Sequence, residues 1–175
     1  MRFHRHAAGF TIIELMLTLA VLGVLTMLAM PNFRQLLRNY EVRGAAESMV
    51  HGIQRARAEA VSRNRAVQFV LGSGSSWTVT DGTSTLDSRP SSDSANATYA
   101  ALASDLTSAA TKITFNNIAL VVANTAIDPS DTSLSLGRIT VSAPGASETL
   151  RVDIGAGGSA RVCDPSLPST NARAC

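Results

Sequence analysis

From Phe10 to Met30 the chain runs for 21 residues in which Glu14 is the one charge. Thr11, Thr18, Gly23 and Thr26 are the remaining breaks. At about 1.5 Å per residue, a helix of that length spans roughly 30 Å, the hydrocarbon thickness of a bilayer. Beyond Pro31 the pattern changes. Phe33, Leu36, Leu37, Tyr40, Met49, Val50, Ile53, Ala56 and Ala60 recur at three- and four-residue spacings. That period predicts an amphipathic helix over 31–64 with one apolar stripe. Arg34, Arg38, Glu41, Glu47, Gln54, Arg55, Glu59 and Arg63 fall mostly away from the stripe. Pro31 has no N–H to give the ladder, so a kink or local loosening of the rod is expected there.

From Arg65 onward the period becomes two. Ala66–Leu71 and Trp77–Thr80 read as strands around a Gly72-Ser73-Gly74-Ser75-Ser76 turn. The Ser-, Thr- and Asp-rich stretch 81–96 predicts a surface loop, and Ala97–Ser108 a short helix. Further strands are expected at Lys112–Phe115, Ile118–Ala123, Leu134–Ser142, Glu148–Ile154 and Ala160–Cys163. Gly137, Pro144-Gly145 and the Gly155–Gly158 run punctuate them. One long helix followed by strands predicts an α+β fold, with an antiparallel sheet over residues 65–175 covering the helix stripe.

Ahead of the apolar run stands a short leader, residues 1–9, carrying Arg2 and Arg5. Its basic character should hold it in the cytoplasm and send residues 31–175 outward. A removable secretory signal is the alternative, and it predicts a shorter run ending in an Ala-x-Ala-like site. Here the run is long and passes straight into Pro31-Asn32-Phe33, which favours a retained anchor.

Glu14 is the most informative residue. A carboxylate at membrane depth costs on the order of 3 kcal/mol on insertion scales and is by default a functional candidate. Were the chain cut after Gly9, a new α-amine on Phe10 would lie one helical turn away and offset it, within the chain or between packed neighbours. The alternative is an acid tolerated near a helix end and hydrated by headgroups.

Taken together, Gly9-Phe10-Thr11-Ile12-Ile13-Glu14-Leu15 resembles the cleavage and methylation motif of type IV prepilins and type II secretion pseudopilins. The resemblance implies cleavage between Gly9 and Phe10 by a prepilin peptidase, N-methylation of Phe10, and a role for Glu14 in docking into a growing filament. It also implies the type IV pilin fold, with a transmembrane helix half, an amphipathic half and a β-rich head. The chain would sit in a bacterial inner membrane as a single-pass protein with a periplasmic head, then enter a pilus or pseudopilus. Type IV pilins often carry a proline at the place of Pro31, which favours a pilus. The Arg-rich helix ending in Ala58-Glu59-Ala60-Val61-Ser62-Arg63-Asn64-Arg65, then a strand, looks like the FimT/FimU minor pilins and H-type pseudopilins. Partners implied are the peptidase, other minor and major pilins, and a tip adhesin.

Charge and chemistry narrow the function further. The formal charge is +2, from fourteen Arg and one Lys against 13 acids, and aromatics are 5% of residues. Neither a nucleic-acid-coating protein nor a base-stacking platform fits. Some FimT-type members bind DNA through an arginine-dense C-terminal region; here Arg161 and Arg173 are the corresponding candidates, within an acidic-leaning head. Residues 31–65 hold seven arginines against Glu41, Glu47 and Glu59, and residues 66–175 six basic groups against nine acids. A solvated face is expected for the helix arginines, with acids of packed neighbours as a second possibility.

Cys163 and Cys175 lie on the oxidising side of the expected membrane, and a bridge between them would contribute roughly 3 kcal/mol by chain entropy. Free thiols are the alternative. The three histidines, His4, His6 and His51, have no nearby Cys, so zinc is poorly supported, and no cofactor is expected. His51 sits on the amphipathic helix as a flank residue rather than a base, and no phosphate-cradling motif is present, so catalysis is not expected.

Overall fold

The computed structural model describes residues 9–175, so the expectations for the leader, including Arg2, Arg5, His4 and His6, lie outside the described residues. Helix α1 spans Ile12–Ser62, 51 residues, and runs unbroken through Pro31. Thr11 caps it: its Oγ1 accepts the Glu14 N–H at 3.3 Å, satisfying one of the free donors of the first turn. Within the apolar half, the hydroxyls of Thr18 and Thr26 donate back to the carbonyls of Leu15 and Gly23 at 2.8 and 2.9 Å, so neither is left unpaired in an apolar setting. The helix stops at Arg63, whose N–H bonds to the Glu59 carbonyl, and Asn64 turns the chain with φ 51°.

Nine strands follow: β1 (Val67–Leu71), β2 (Trp77–Thr80), β3 (Thr85–Arg89), β4 (Thr98–Ala103), β5 (Lys112–Phe115), β6 (Val121–Val122), β7 (Leu136–Ser142), β8 (Leu150–Ile154) and β9 (Ala160–Cys163). They form two antiparallel sheets, in the orders β3-β2-β1-β5-β6 and β4-β7-β8-β9. The lower half of α1 lies across both. Its buried face is Val42, Ala45, Ala46, Met49, Gly52, Ile53, Ala56 and Ala60, packed with Val67, Phe69, Val79, Ile113 and Phe115 of the first sheet and Ile139, Val141, Leu150 and Val152 of the second. Small residues let the helix approach closely. A Cβ on Gly52 would lie 2.6 Å from the Phe69 ring and 3.0 Å from Trp77.

Several expectations need correction. The stripe does not bury as one unit, because Phe33, Leu36, Leu37 and Tyr40 remain exposed below the head while burial begins at Val42. The sheets are only long enough to cover the last part of the helix. The loop expected over 81–96 contains β3 and a single 3-10 turn, Ser91–Ser94. Leu86 is the one apolar residue of β3, so the strand is held by pairing with β2 rather than by an apolar face. The helix expected in 97–108 is strand β4, whose alanines suit a helix locally; pairing with β7 overrides that preference and turns Tyr99, Ala101 and Ala103 inward. At 118–123 only Val121–Val122 is strand, because the chain first turns at Ala119 with φ 63°.

Candidate membrane-anchor and assembly site

From Gly9 to Leu37 every residue is exposed, and nothing in the head folds back over them. Phe10 is 80% exposed, Ile12 81% and Met27 80%, values that mark a surface built to be covered by something outside this chain. Among the described residues α1 is the one helix long and apolar enough to cross a membrane. Glu14 lies in its first turn, where the carboxylate also faces the positive end of the helix dipole. Gly9 and Phe10 precede the cap as exposed residues outside any helix or strand. Pro31 lies inside α1, within the fully exposed stretch that continues to Leu37.

Beyond the apolar packing, polar clamps orient the head on α1. The side-chain carbonyl of Asn39 accepts the Ser147 N–H at 3.0 Å, and its amide donates to the Ser147 hydroxyl at 3.0 Å. Arg34, Arg55, Arg63 and Arg65 are exposed, as a solvated face requires, and some of the segment's arginines also reach the head. Arg43 pairs with Glu148 at 3.3 Å, Arg55 reaches Asp87 at 3.9 Å, and Arg57 donates to the Ala119 carbonyl at 3.1 Å. The basic helix segment thus meets the acidic head of its own chain. Each ion pair is about half exposed and contributes at most about 1 kcal/mol, so together they set orientation more than stability. Glu59 is held below the usual carboxylate range, chiefly by its 2.6 Å hydrogen bond from Arg63. His51 is exposed on the helix flank.

At the far end of the chain Cys163 and Cys175 are joined as a disulfide with Cα atoms 5.0 Å apart. Their sulfurs lie within 4.8 Å of the Asp153 carboxylate, but a disulfide offers no thiolate to a metal. Beside it is a cluster the sequence did not announce. Asp153 Oδ1 accepts from Arg138 Nε at 3.0 Å and lies 3.2 Å from Arg151 Nε. The i, i+2 spacing of Arg151 and Asp153 signals one strand face; that β7 brings Arg138 alongside is a cross-strand fact with no local signature. Arg138 and Arg151 are therefore engaged, while Arg161 and Arg173 are exposed.

The prokaryotic N-terminal methylation motif matches residues 4–30, which take in Gly9, Phe10 and Glu14. The family described as Type II transport protein GspH matches residues 45–158, well over half of the chain. The chain belongs to the GspH family. Members of this family are pilin-like structural proteins, and the methylation motif is that of chains processed by a prepilin peptidase and assembled with other pilins. The chain is similar to the Pseudomonas aeruginosa (strain PAO1) type IV minor pilin FimU in two crystal forms. In space group P65 the identity is 19% and the TM-score 0.46, covering 74% of this chain and 94% of that one. In P21 the identity is 20% and the TM-score 0.48, covering 75% and 92%. No curated protein sequence matches the chain.

Proposed function

We propose that this chain is a minor subunit of a type IV pilus, inserted by its apolar helix in the inner membrane with its head in the periplasm. A prepilin peptidase cuts between Gly9 and Phe10 and the new Phe10 amine is methylated. Residues 10–30 then serve as anchor and filament-core helix, 31–64 as the amphipathic half, and 65–175 as the head. Glu14 steers docking by meeting a Phe10 amine, and Pro31 gives the rod a point at which to bend as it leaves lipid for the filament. The subunit acts near the filament tip, where it helps start assembly and joins neighbouring minor pilins or a tip adhesin. The observation that carries this reading is the complete exposure of an apolar helix half whose one acid sits four residues after Phe10.

Mass spectrometry of the mature chain tests the first step: the expected species lacks residues 1–9 and carries one methyl on Phe10, and any other terminus refutes the scheme. For the second step, Glu14→Ala should leave cleavage intact while reducing pilus number or incorporation. Normal piliation in that variant would remove the proposed role of Glu14.

A second reading, an H-type pseudopilin of a type II secretion system, is favoured by the description of the matched family. Deletion separates the two. Loss of exoprotein secretion with normal twitching supports the pseudopilin, whereas loss of pili with normal secretion supports the pilin.

A further inference from the structure

Unpaired N–H and C=O groups on a sheet edge template foreign strands, and natural sheets blunt their edges for that reason. Three of the four edges carry a local contact that takes up a backbone group along the strand itself. On β3 the Asp87 carboxylate accepts the Ser88 N–H at 2.8 Å. On β4 the following loop folds back so that Ala109 bridges Leu102. At β6 the Ser135 hydroxyl donates to the Val122 carbonyl at 3.5 Å. The edge of β9 is covered only beyond its end. There the Asp164 N–H donates to the Arg173 carbonyl at 2.8 Å, in a parallel bridge to Ala174 that the Cys163–Cys175 bond holds in place.

The ladder decides which groups stay open. Gly155 N–H donates to the Ser159 carbonyl at 2.9 Å and Gly158 N–H to the Gly155 carbonyl at 2.7 Å, which closes the β8–β9 hairpin. Alternation from that pair turns the backbone groups of Arg161 and Cys163 toward β8, and those of Ala160 and Val162 outward. Asp164 shares the outward phase, and its N–H is the one the tail has taken up. Side chains agree: Ala160 and Val162 face the core yet are only half-buried, whereas Ile139, Val141 and Val152 on the inner strands are fully buried. A recess of about 240 Å³ between α1 and β9, walled by Leu150 and Val162 with Arg43 and Glu47 at its rim, continues the uncovered flank.

We propose that the β9 edge at Ala160–Val162 is a strand-addition site for an extended, acidic segment of another polypeptide. The open backbone groups supply the pairing, and the half-covered flank takes the inward side chains of the guest. Charge selects the partner, since Arg161 on the edge and Arg173 beside it are exposed, while Arg43 is already paired with Glu148. A second copy pairing antiparallel through its own β9 would set Arg161 near Arg161, a like-charge clash. Duplex DNA would satisfy the arginines but leave the strand groups unpaired. The proposal does not depend on which filament the chain enters.

The test uses the full chain in detergent micelles, titrated with a short labelled peptide alternating valine and glutamate. The valine–lysine counterpart and a short DNA duplex serve as comparisons, and amide exchange is read residue by residue by NMR. The acidic peptide should bind at least about tenfold more tightly than the basic one. It should slow exchange of the Ala160 and Val162 amides about tenfold or more, leaving Arg161, already paired to β8, unchanged. Arg161→Glu should weaken the acidic peptide about tenfold or more, and Val162→Pro should abolish it by deleting an outward donor. If the proline variant does not fold, Arg161→Glu and the exchange pattern still decide. Equal binding of both peptides, binding without protection of Ala160 and Val162, or binding of the duplex alone would each overturn the proposal.

Discussion

Asp131 accepts a 2.6 Å hydrogen bond from Lys112 Nζ and another from the Ser133 N–H, and the lysine above all holds its carboxyl down at about 2. Asp81 and Asp105 are lowered in the same direction. For Asp81 the largest cause is the Ser84 N–H, followed by the Thr83 hydroxyl; for Asp105 it is the Ser108 hydroxyl. A carboxyl whose folded pKa lies below its unfolded value, near 3.9, stabilises the fold above that value and loses the contribution as pH falls through the folded pKa. The head should therefore keep its stability from neutral pH down to about 5, then lose it progressively from about 4 to 2. Urea unfolding followed by the fluorescence of Trp77, the one tryptophan, reads this directly. Asp131→Asn should flatten part of the slope, and a wild-type head equally stable at both ends of that window would refute the assignment. Gly52 carries a second prediction, because two effects there have opposite signs. Alanine would favour the helix by about 1 kcal/mol, but its Cβ would overlap the buried Phe69 ring at 2.6 Å. Overpacking costs typically about 1–3 kcal/mol, so Gly52→Ala should come out destabilising in the same urea assay. A stabilised variant would mean the helix–sheet contact is looser than this spacing.

At the scale of elements, the C-terminal segment depends on its bond. Few of residues 164–175 contribute to the core, and what holds them is the Asp164–Arg173 hydrogen bond and the Cys163–Cys175 disulfide. Replacing both cysteines by serine should lower unfolding stability by about 2–4 kcal/mol and expose the tail to limited proteolysis at a denaturant concentration where the parent resists. A variant that keeps both properties would show the tail to be held by its hydrogen bonds alone. The elements differ in how far the chain announced them. The exposed apolar half of α1 was legible, since an apolar run with a single acid is a local pattern. Strands with alternating large apolar residues, such as Phe69 with Leu71 or Ile139 with Val141, were legible for the same reason. Strands β3 and β4 were not, because Thr85–Arg89 has no apolar alternation and Thr98–Ala103 is rich in alanine; each exists only through its pairing partner. The division into two sheets, the Arg138–Asp153–Arg151 cluster and the open edge of β9 are likewise products of pairing between distant segments. The surplus of arginine on the helix was visible, but its destination in the acids of its own head was not.

Across the whole molecule α1 serves two solvents with one continuous rod, and the boundary between them falls later than the hydrophobic pattern implied. Phe33, Leu36, Leu37 and Tyr40 are 47–60% exposed, although they continue the stripe that buries Met49 and Ile53. Apolar residues left uncovered by the fold stabilise it little, so their place in the stripe is better explained by contacts made after assembly. This separates stability from assembly in a way two substitutions can measure. Met49→Ala removes a fully buried side chain and should destabilise the head by about 2–5 kcal/mol. Leu37→Asp changes an exposed position just below the head and should leave head stability within about 0.5 kcal/mol of the parent. Its effect should appear instead in the filament, as reduced incorporation of a chain that is cleaved, methylated and folded normally, because a charge would be buried where neighbouring helices pack. Urea unfolding of the two variants, alongside immunoblots of sheared filaments and of membranes, gives the comparison. If Leu37→Asp incorporates like the parent, the segment 33–40 stays in water within the filament. If it unfolds the head, the sheets reach further down the rod than burial indicates.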